Sequence, residues 1–410
     1  MVKVLFANHA QFEGQYTNLG DWAIFEEMID RFKSYVDDGE MEVLVPSSDP
    51  DYTNTHYPVK AFKRGGLAGI VNTFKAIVSS DIVVIGGGEI VQDRSSMVYI
   101  PYQLIRPFVA KLFGKKLFGY AIGVGEEEEI SFIGRIQSSF VLNMFDIITV
   151  RDKKSYRVLK NYLKVRRPRV YLTADPALNL KPRKAENLPE KPYVVVSARS
   201  VYHREHNILP FSIRKKLGLV PEEYYKEIER FKTDLAFIAD QTAEKYNYNI
   251  CFLNTYTGKQ MSAQDDSFTN DIINKMKNKD SVSVIPADLT PSQIKYALGN
   301  AELILSVPLH PLILGSSENV PVLSIAYASK NKCFMKQICH PEHIYSVETI
   351  GERLDTEQIL KDINSVVLNE NNYLEELKNR MTLLKKREMN NSKLFLRLVD
   401  CVKKHEEKKC

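Results

Sequence analysis

Short runs of consecutive apolar residues recur along the first half of the chain, separated by stretches with apolar positions every three or four residues. Residues 2–7, 42–46, 81–85, 116–122, 146–150 and 169–172 are such runs, rich in Val, Ile and Leu, the pattern of strands buried on both faces. Between them, Phe25, Met28, Ile29 and Phe32 share one helical face. Residues 62–78 keep helical spacing despite Gly65, Gly66 and Gly69, and 102–113 and 155–163 do so as well. The pattern then starts again. Runs at 193–198, 249–253, 281–285, 303–306, 322–325 and 343–347 predict a second strand series, with a long amphipathic helix at 224–246 and a short one at 312–317. Alternating strands and helices predict an α/β protein: two Rossmann-like domains whose parallel sheets face each other across a cleft. The expected division is 1–182, 190–350 and a charged helical segment, 351–410, that packs back on the first domain. The charged, proline-bearing stretch 181–191 reads as the linker.

Ligands of open parallel sheets bind outside the carboxyl ends of the strands, so the residues just after each strand carry the candidate chemistry. The loop 8–20 ends in Asn18-Leu-Gly-Asp21, where Asp21 is expected to cap a helix. A strand, a glycine-bearing loop and a helix N-terminus favour an anion; a plain capped connection is the equal reading. After 81–85 comes Gly86-Gly-Gly-Glu-Ile-Val-Gln-Asp93. Gly86, Gly87 and Gly88 let the backbone approach a ligand, in a spacing that differs from the dinucleotide fingerprint. Gln92 and Asp93 could hydrogen-bond sugar hydroxyls or cap the next helix. Gly123-Val-Gly125 forms a third glycine turn, and Arg151-Asp152 closes the fifth strand as a ligand anchor or a structural ion pair. Arg199 ends the first strand of the second half. Residues 201–220, with His203 and His206, read as a polar lid with too few ligands for a metal. Thr290 to Gln293 forms a capping box with Pro291 at the first helical position. His310 falls in a turn between Pro308 and Pro311, and Lys330 follows the next strand. Asn18, Asp21, Gly86 to Gly88, Arg151, Arg199, His310 and Lys330 would converge in the interdomain cleft.

Composition narrows the chemistry. A net charge of +5 is too mild to imply nucleic acid. Basic clusters at 111–116 and 164–169 are either solvated surface or an attraction for an anionic substrate or membrane surface. The five cysteines are scattered without metal-ligand spacing, so neither a metal nor an oxidising compartment is expected. The N-terminal apolar run is short and interrupted by Lys3, unlike a leader, and no run reaches the length of a membrane span. A cytoplasmic protein, at most peripheral to a membrane, is the expectation. Nothing fixes its oligomeric state. The lack of a paired-carboxylate constellation argues against glycoside hydrolysis.

In order and spacing, these motifs resemble the polysaccharide pyruvyl transferases over residues 1 to 332. The matching segments are Asn18-Leu-Gly-Asp21, Gly86 to Asp93, Gly119 to Gly125, Arg151-Asp152 with Ser155, Asp175-Pro-Ala177, Arg199, and Leu309-His310 followed by Val320-Pro321, Tyr327 and Lys330. The resemblance implies a GT-B-like fold and transfer of a pyruvyl group from phosphoenolpyruvate, a co-substrate, to a sugar of a cell-surface glycan or its precursor, without a cofactor. It implies that Arg151, Arg199 and Lys330, with Gly86, Gly87 and Gly88, hold the donor. Asn18 and Gln92 lie on the acceptor side, His310 is the general acid, and Asp21 or Asp93 handles the sugar hydroxyl. A lipid-linked acceptor would bring the enzyme to the inner face of the membrane. Pro308 departs from the family, which has Arg there; Arg94 or Lys332 could replace the charge. The alternatives are a GT-B-like glycosyltransferase with a nucleotide-sugar donor and a non-catalytic glycan-binding member.

Overall fold

The computed structural model describes residues 1–8, 17–94, 96–190, 192–201, 211–257, 262–347, 352–368 and 372–407. Two parallel sheets form the protein. The first runs β4 (Lys60–Lys63), β3 (Met41–Ser47), β1 (Val2–Phe6), β5 (Ile82–Gly86), β7 (Lys116–Val124), β8 (Ile147–Val150) and β9 (Arg169–Leu172), with the short β6 (Glu89–Val91) on β7. The second runs β13 (Val282–Val284), β11 (Asn249–Phe252), β10 (Tyr193–Ser197), β14 (Leu303–Ser306), β15 (Val322–Ala326) and β16 (Ile344–Ser346). β5, β10, β14 and β15 are buried throughout, which is why their sequences are uninterrupted apolar runs. A two-stranded antiparallel ribbon, β2 (Thr17–Asn18) on β12 (Tyr256–Thr257), ties the domains together.

Strand order reverses once in each sheet, between β1 and β5 in the first and between β10 and β14 in the second. The crevices that open at such reversals bind ligands. The glycine-rich loop after β5 borders the first crevice. Arg199 after β10 and Pro308 after β14 border the second.

The domains are fastened by polar pins as well as by packing. Ser292 Oγ donates to Glu26, and the backbone N–H of Arg183 donates to the Ser292 carbonyl at 3.0 Å. The buried Lys295 ammonium donates to the Leu178 carbonyl at 2.9 Å. Ser292 and Lys295 lie on the helix Pro291–Gly299, whose Thr290–Gln293 capping box forms as the sequence predicts.

The C-terminal segment divides instead of packing on the first domain as one unit. The helix Thr356–Val367 stays with the second domain, where Lys245 Nζ and Tyr246 OH both donate to Asn364 Oδ1, at 2.6 and 2.8 Å. The helix Tyr373–Glu388 spans both: Tyr373 OH donates to the Val322 carbonyl at 2.9 Å, and Asn179 Nδ2 donates to that of Lys385 at 2.9 Å. Only the helix Asn390–Glu407 lies on the first sheet. There the Phe395 ring packs against Phe6, Phe32, Phe118 and Tyr120, with the Phe32 centroid at 4.9 Å.

Other boundaries shift for local reasons. The helix expected at 62–78 begins at Gly66, because Phe62 belongs to β4 and positive φ angles at Gly65 and Gly66 break the chain between them. Within the expected lid, Phe211–Lys216 is helical, whereas 202–210, including His203 and His206, lie outside the described residues.

Candidate active site

Between the two crevices lies a cavity of ≈ 190 Å³. The first domain contributes Asn18, Gly20, Asp21, Gly88, Glu89, Gln92, Tyr99 and Arg151 to its wall; the second contributes Arg199, Thr255, Pro308, Leu309, His310, Tyr327 and Lys330.

Asn18, and not Asp21, caps the helix Leu19–Asp37. Its side chain accepts from Gly20 N at 3.1 Å, and its Nδ2 donates to Asp21 Oδ2 at 3.1 Å. The N–H of Leu19 donates to the Thr255 carbonyl at 2.9 Å, so the second domain also holds this helix start. Asp21 is the third residue of the helix, in its first turn and on the cavity wall. Burial raises its carboxyl to about 6, although Lys330 and Arg151 oppose that rise.

His310 lies in the first turn of the helix Leu309–Ser317, with Pro308 in the cap position, and not in the turn that the prolines suggested. Pro is tolerated there because the first N–H groups of a helix have no intrahelical acceptor. The imidazole lies on the backbone of Gly20, where a Cβ would stand 1.9 Å from Nδ1. Nε2 stands 3.9 Å from Asp175 Oδ2, too far for a hydrogen bond, and has no hydrogen-bond partner among the described residues. Burial lowers His310 to about 4; Asp175 opposes this, and Arg151 and Lys330 add to it. At neutral pH the imidazole is therefore uncharged.

Asp175 links the two sides. Oδ2 accepts from Arg151 Nη1 at 3.0 Å, while Oδ1 accepts from Ala177 N at 3.1 Å. The buried Arg151 guanidinium lies flat on Gly123, where a Cβ would come within 2.9 Å of it; this close approach explains one glycine of the Gly-Val-Gly turn. Arg199 hydrogen-bonds Tyr327, and Lys330 Nζ stands 5.2 Å from the centre of the same ring. Lys330 is the second residue of the helix Ser329–Gln337. The start of that helix is held by Ser329 Oγ, which donates to Glu129 at 2.8 Å and accepts from Lys154 at 3.2 Å. Three helix N-termini and three cations thus face a small space.

Of the residues singled out from sequence, Asn18, Asp21, Gly88, Gln92, Arg151, Arg199, His310 and Lys330 meet at this cavity, and Asp93, Gly86 and Gly87 do not. Asp93 is 1% exposed and accepts from Ser131 N at 2.8 Å and from Ser131 Oγ, bracing the start of the helix Phe132–Leu142. That buried structural role corrects the expectation that it serves a sugar hydroxyl. Gly86 and Gly87 fit the loop onto β7. A Cβ at Gly86 would lie 2.0 Å from the Tyr120 carbonyl oxygen, which accepts from Gly87 N at 2.8 Å. Neither Arg94, 3.6 Å from Glu129 Oε1, nor Lys332 lines the cavity. Sequence reasoning assigned no role to Asp175, Gly20, Glu89 or Tyr99. The Asp175-Pro-Ala177 and Asn18-Leu-Gly-Asp21 motifs contained the signal for the first two.

A wider basin of ≈ 790 Å³ includes Lys153, Lys154, Arg157, Lys336 and Arg380 and shares no lining residue with the smaller cavity. Its Cys333 thiol is pushed up to about 12 by burial, which removes it as a nucleophile. Among the described residues, His340, Glu342 and His343 form one cluster, with ligand atoms within 4.8 Å of one another, that could hold a metal; it lies outside the cavity.

The polysaccharide pyruvyl transferase family model matches residues 18–329. The amylovoran biosynthesis protein AmsJ of Erwinia amylovora is 22% identical over 298 residues, covering 70% of this chain and 66% of its own length. Among solved structures, the S. aureus MnaA complex with UDP superposes with a TM-score of 0.59 at 12% identity, covering 97% of this chain and 98% of that one. A glycosyltransferase from Rickettsia africae gives 0.56 at 10% identity, covering 98% of each. At such identities the likeness shows the fold alone, which is GT-B-like. The family match, over most of the chain and through both crevices, shows that this protein belongs to the polysaccharide pyruvyl transferase family.

Proposed function

We propose that the protein transfers a pyruvyl group from phosphoenolpyruvate to two hydroxyls of one sugar in a cell-surface glycan or its precursor, forming a cyclic ketal. The observation that carries this reading is a small cavity in which three cations and three helix N-termini surround a neutral imidazole and a carboxyl titrating near 6. The donor is small and carries a phosphate and a carboxylate. Arg199 and Lys330 supply charge for it, and Arg151, partly neutralised by Asp175, supplies the floor.

The proton inventory closes on these residues. Donor anions beside His310 raise its proton affinity, and Asp175 stabilises the resulting imidazolium. His310 delivers this proton to the methylene carbon, which becomes the methyl group. The first sugar hydroxyl bonds to the adjacent carbon and loses its proton to Asp21. The carbon–oxygen bond to phosphate breaks, the second hydroxyl adds to the same carbon, and its proton leaves with phosphate. Proton return from Asp21 to His310 through solvent resets the site. The transfer is redox-neutral and calls for no cofactor. A cytoplasmic place of action goes with this reading.

The cavity volume weighs against a nucleotide-sugar donor. Pockets that enclose drug-sized ligands run to roughly 300–1,000 Å³, and this one is ≈ 190 Å³. Titration calorimetry with phosphoenolpyruvate and with UDP-sugars separates the two. Saturable phosphoenolpyruvate binding, weakened about tenfold or more by Arg199→Ala, supports the proposal; binding of UDP-sugars alone overturns it.

A further inference from the structure

Three helices, Gly66–Ser79, Tyr99–Leu112 and Phe132–Leu142, lie side by side on one face of the first sheet. Their inner residues, among them Ile77, Ile100, Leu104 and Leu142, join the core with Leu5, Val83 and Leu117. Helices in that position normally turn a polar face to water. These do not. Leu67 is 84% exposed, Ile70 68%, Ile105 53%, Phe132 73% and Phe140 59%. The apolar surface is continuous, since the rings of Phe74 and Phe113 meet edge-on at 5.4 Å and those of Phe108 and Phe140 lie 6.2 Å apart.

The charges on the three helices themselves have one sign, although Asp146 pairs with Lys111 at 3.3 Å and the exposed Glu127 and Glu128 precede the helix Phe132–Leu142. The three helices, of 14, 14 and 11 residues, contain no Asp or Glu, in a chain with 51 of them among 410 residues. They carry Lys75, Arg106, Lys111 and Arg135. At one end an open groove of ≈ 690 Å³ combines Phe132, Ile136 and Phe140 with Arg135, Lys164 and Arg167. Arg135 is stacked over the Tyr162 ring at 4.5 Å. An apolar floor with cations at the rim suits acyl chains below a phosphate headgroup.

We propose that this three-helix face docks the protein on the surface of a bilayer containing anionic phospholipid. A second copy of the chain is a poor occupant, because a two-fold interface would set Lys75, Arg106 and Arg135 against their own copies, Lys111 being already paired with Asp146. A bilayer accepts the apolar side chains while Lys and Arg reach its phosphates. No helix among the described residues is long and apolar enough to cross a membrane, so the contact is with the surface. The helix Tyr99–Leu112 connects this surface to the cavity: Tyr99 lines the cavity wall, and Ile105 and Leu112 stand on the outer face. A docked enzyme would meet an acceptor sugar carried on a membrane lipid. Only that last consequence rests on the pyruvyl-transfer reading.

Vesicle flotation without donor or acceptor tests the docking by itself. The probes are phosphatidylcholine vesicles with and without phosphatidylglycerol. Expected is binding to the anionic vesicles, reduced about tenfold or more by Phe132→Ser with Ile136→Ser and, separately, by Arg135→Glu with Arg167→Glu. These surface substitutions should leave thermal melting unchanged. Equal binding by wild type and both double variants, absence of binding to either vesicle, or a dimer in sedimentation that Phe132→Ser with Ile136→Ser dissolves would each overturn the proposal. If vesicles bind as expected but phosphoenolpyruvate does not turn over, the docking stands and the reaction assignment fails.

Discussion

Gly20 of the first domain and His310 of the second are in contact, with no room between the glycine Cα and the imidazole for even a methyl group. The glycine is needed for space and not for backbone freedom: it lies within the helix Leu19–Asp37 and is absent from the residues of positive φ. The first prediction follows. Gly20→Ala should displace His310 and reduce kcat/KM by about a hundredfold, the cost of misplacing a reacting group by about 1 Å. The variant should melt within a few degrees of wild type. Normal turnover by a folded Gly20→Ala protein would show that the imidazole position is not critical.

His310 and Asp175 should fail in different ways. His310→Ala removes the proposed acid and should lower kcat by about 10²–10⁴, while donor affinity by calorimetry changes little. Asp175→Ala leaves the buried Arg151 without its 3.0 Å partner and should destabilise the fold by about 3–5 kcal/mol. Chemical denaturation measures that loss. A stable Asp175→Ala protein would mean that Asp152, whose Oδ2 lies 3.8 Å from Arg151 Nε, is enough to neutralise the guanidinium.

Asp21 and His310 together give the pH dependence. Burial raises the Asp21 carboxyl to about 6, and it acts as a base only when ionised. His310, lowered to about 4, must also carry its proton, so the competent free enzyme has His310 protonated and Asp21 ionised. Activity as kcat/KM should therefore be level between about pH 4 and 6 and fall above about 6. In Asp21→Asn the break near 6 should disappear along with most of the activity. An unchanged break in the variant would assign it to another group.

Glu26 and Glu388 are buried carboxyls, each raised to about 7 by desolvation. Between their ordinary value of 4.5 and about 7 the folded state binds more protons than the unfolded one, so their contribution to stability falls as pH rises through that window. For Glu26 the loss is on the order of 3 kcal/mol at most. Other groups titrate in the same range, so the test is a difference. The Tm of Glu26→Gln minus that of wild type should increase between pH 5 and pH 8, and a pH-independent difference would remove this role.

Pro308 lines the cavity at the position where the family resemblance implies arginine. Its backbone angles, φ −65 and ψ 147, are open to arginine as well. Pro308→Arg should lower the donor KM about tenfold, the worth of one hydrogen bond to a charged group. No improvement in steady-state kinetics would mean that Arg199 and Lys330 already satisfy the donor.

What could be read from sequence followed from burial. β5, β10, β14 and β15 are covered on both faces, so each leaves an unbroken apolar run. Positions just after those strands then pointed to most of the cavity wall. What escaped depended on partners distant along the chain. Asp93 looks like a hydroxyl-binding residue until Ser131, 38 residues on, is seen to occupy it. Asp175 gains meaning only from Arg151 and His310. β6 has three residues, too few to leave a pattern. Pro308 and Pro311 read as a turn because proline breaks helices, yet both occupy the start of one, where no intrahelical N–H is lost.

The central claim is tested most directly by incubating the purified protein with phosphoenolpyruvate and a panel of lipid-linked and nucleotide-linked sugars. Released phosphate and the new ketal methyl resonance are followed together. The account predicts phosphate release that depends on one acceptor class, matches the ketal mole for mole, and is lost in His310→Ala. Release of no phosphate with any acceptor, or formation of a glycosidic bond from a nucleotide sugar instead, would contradict it.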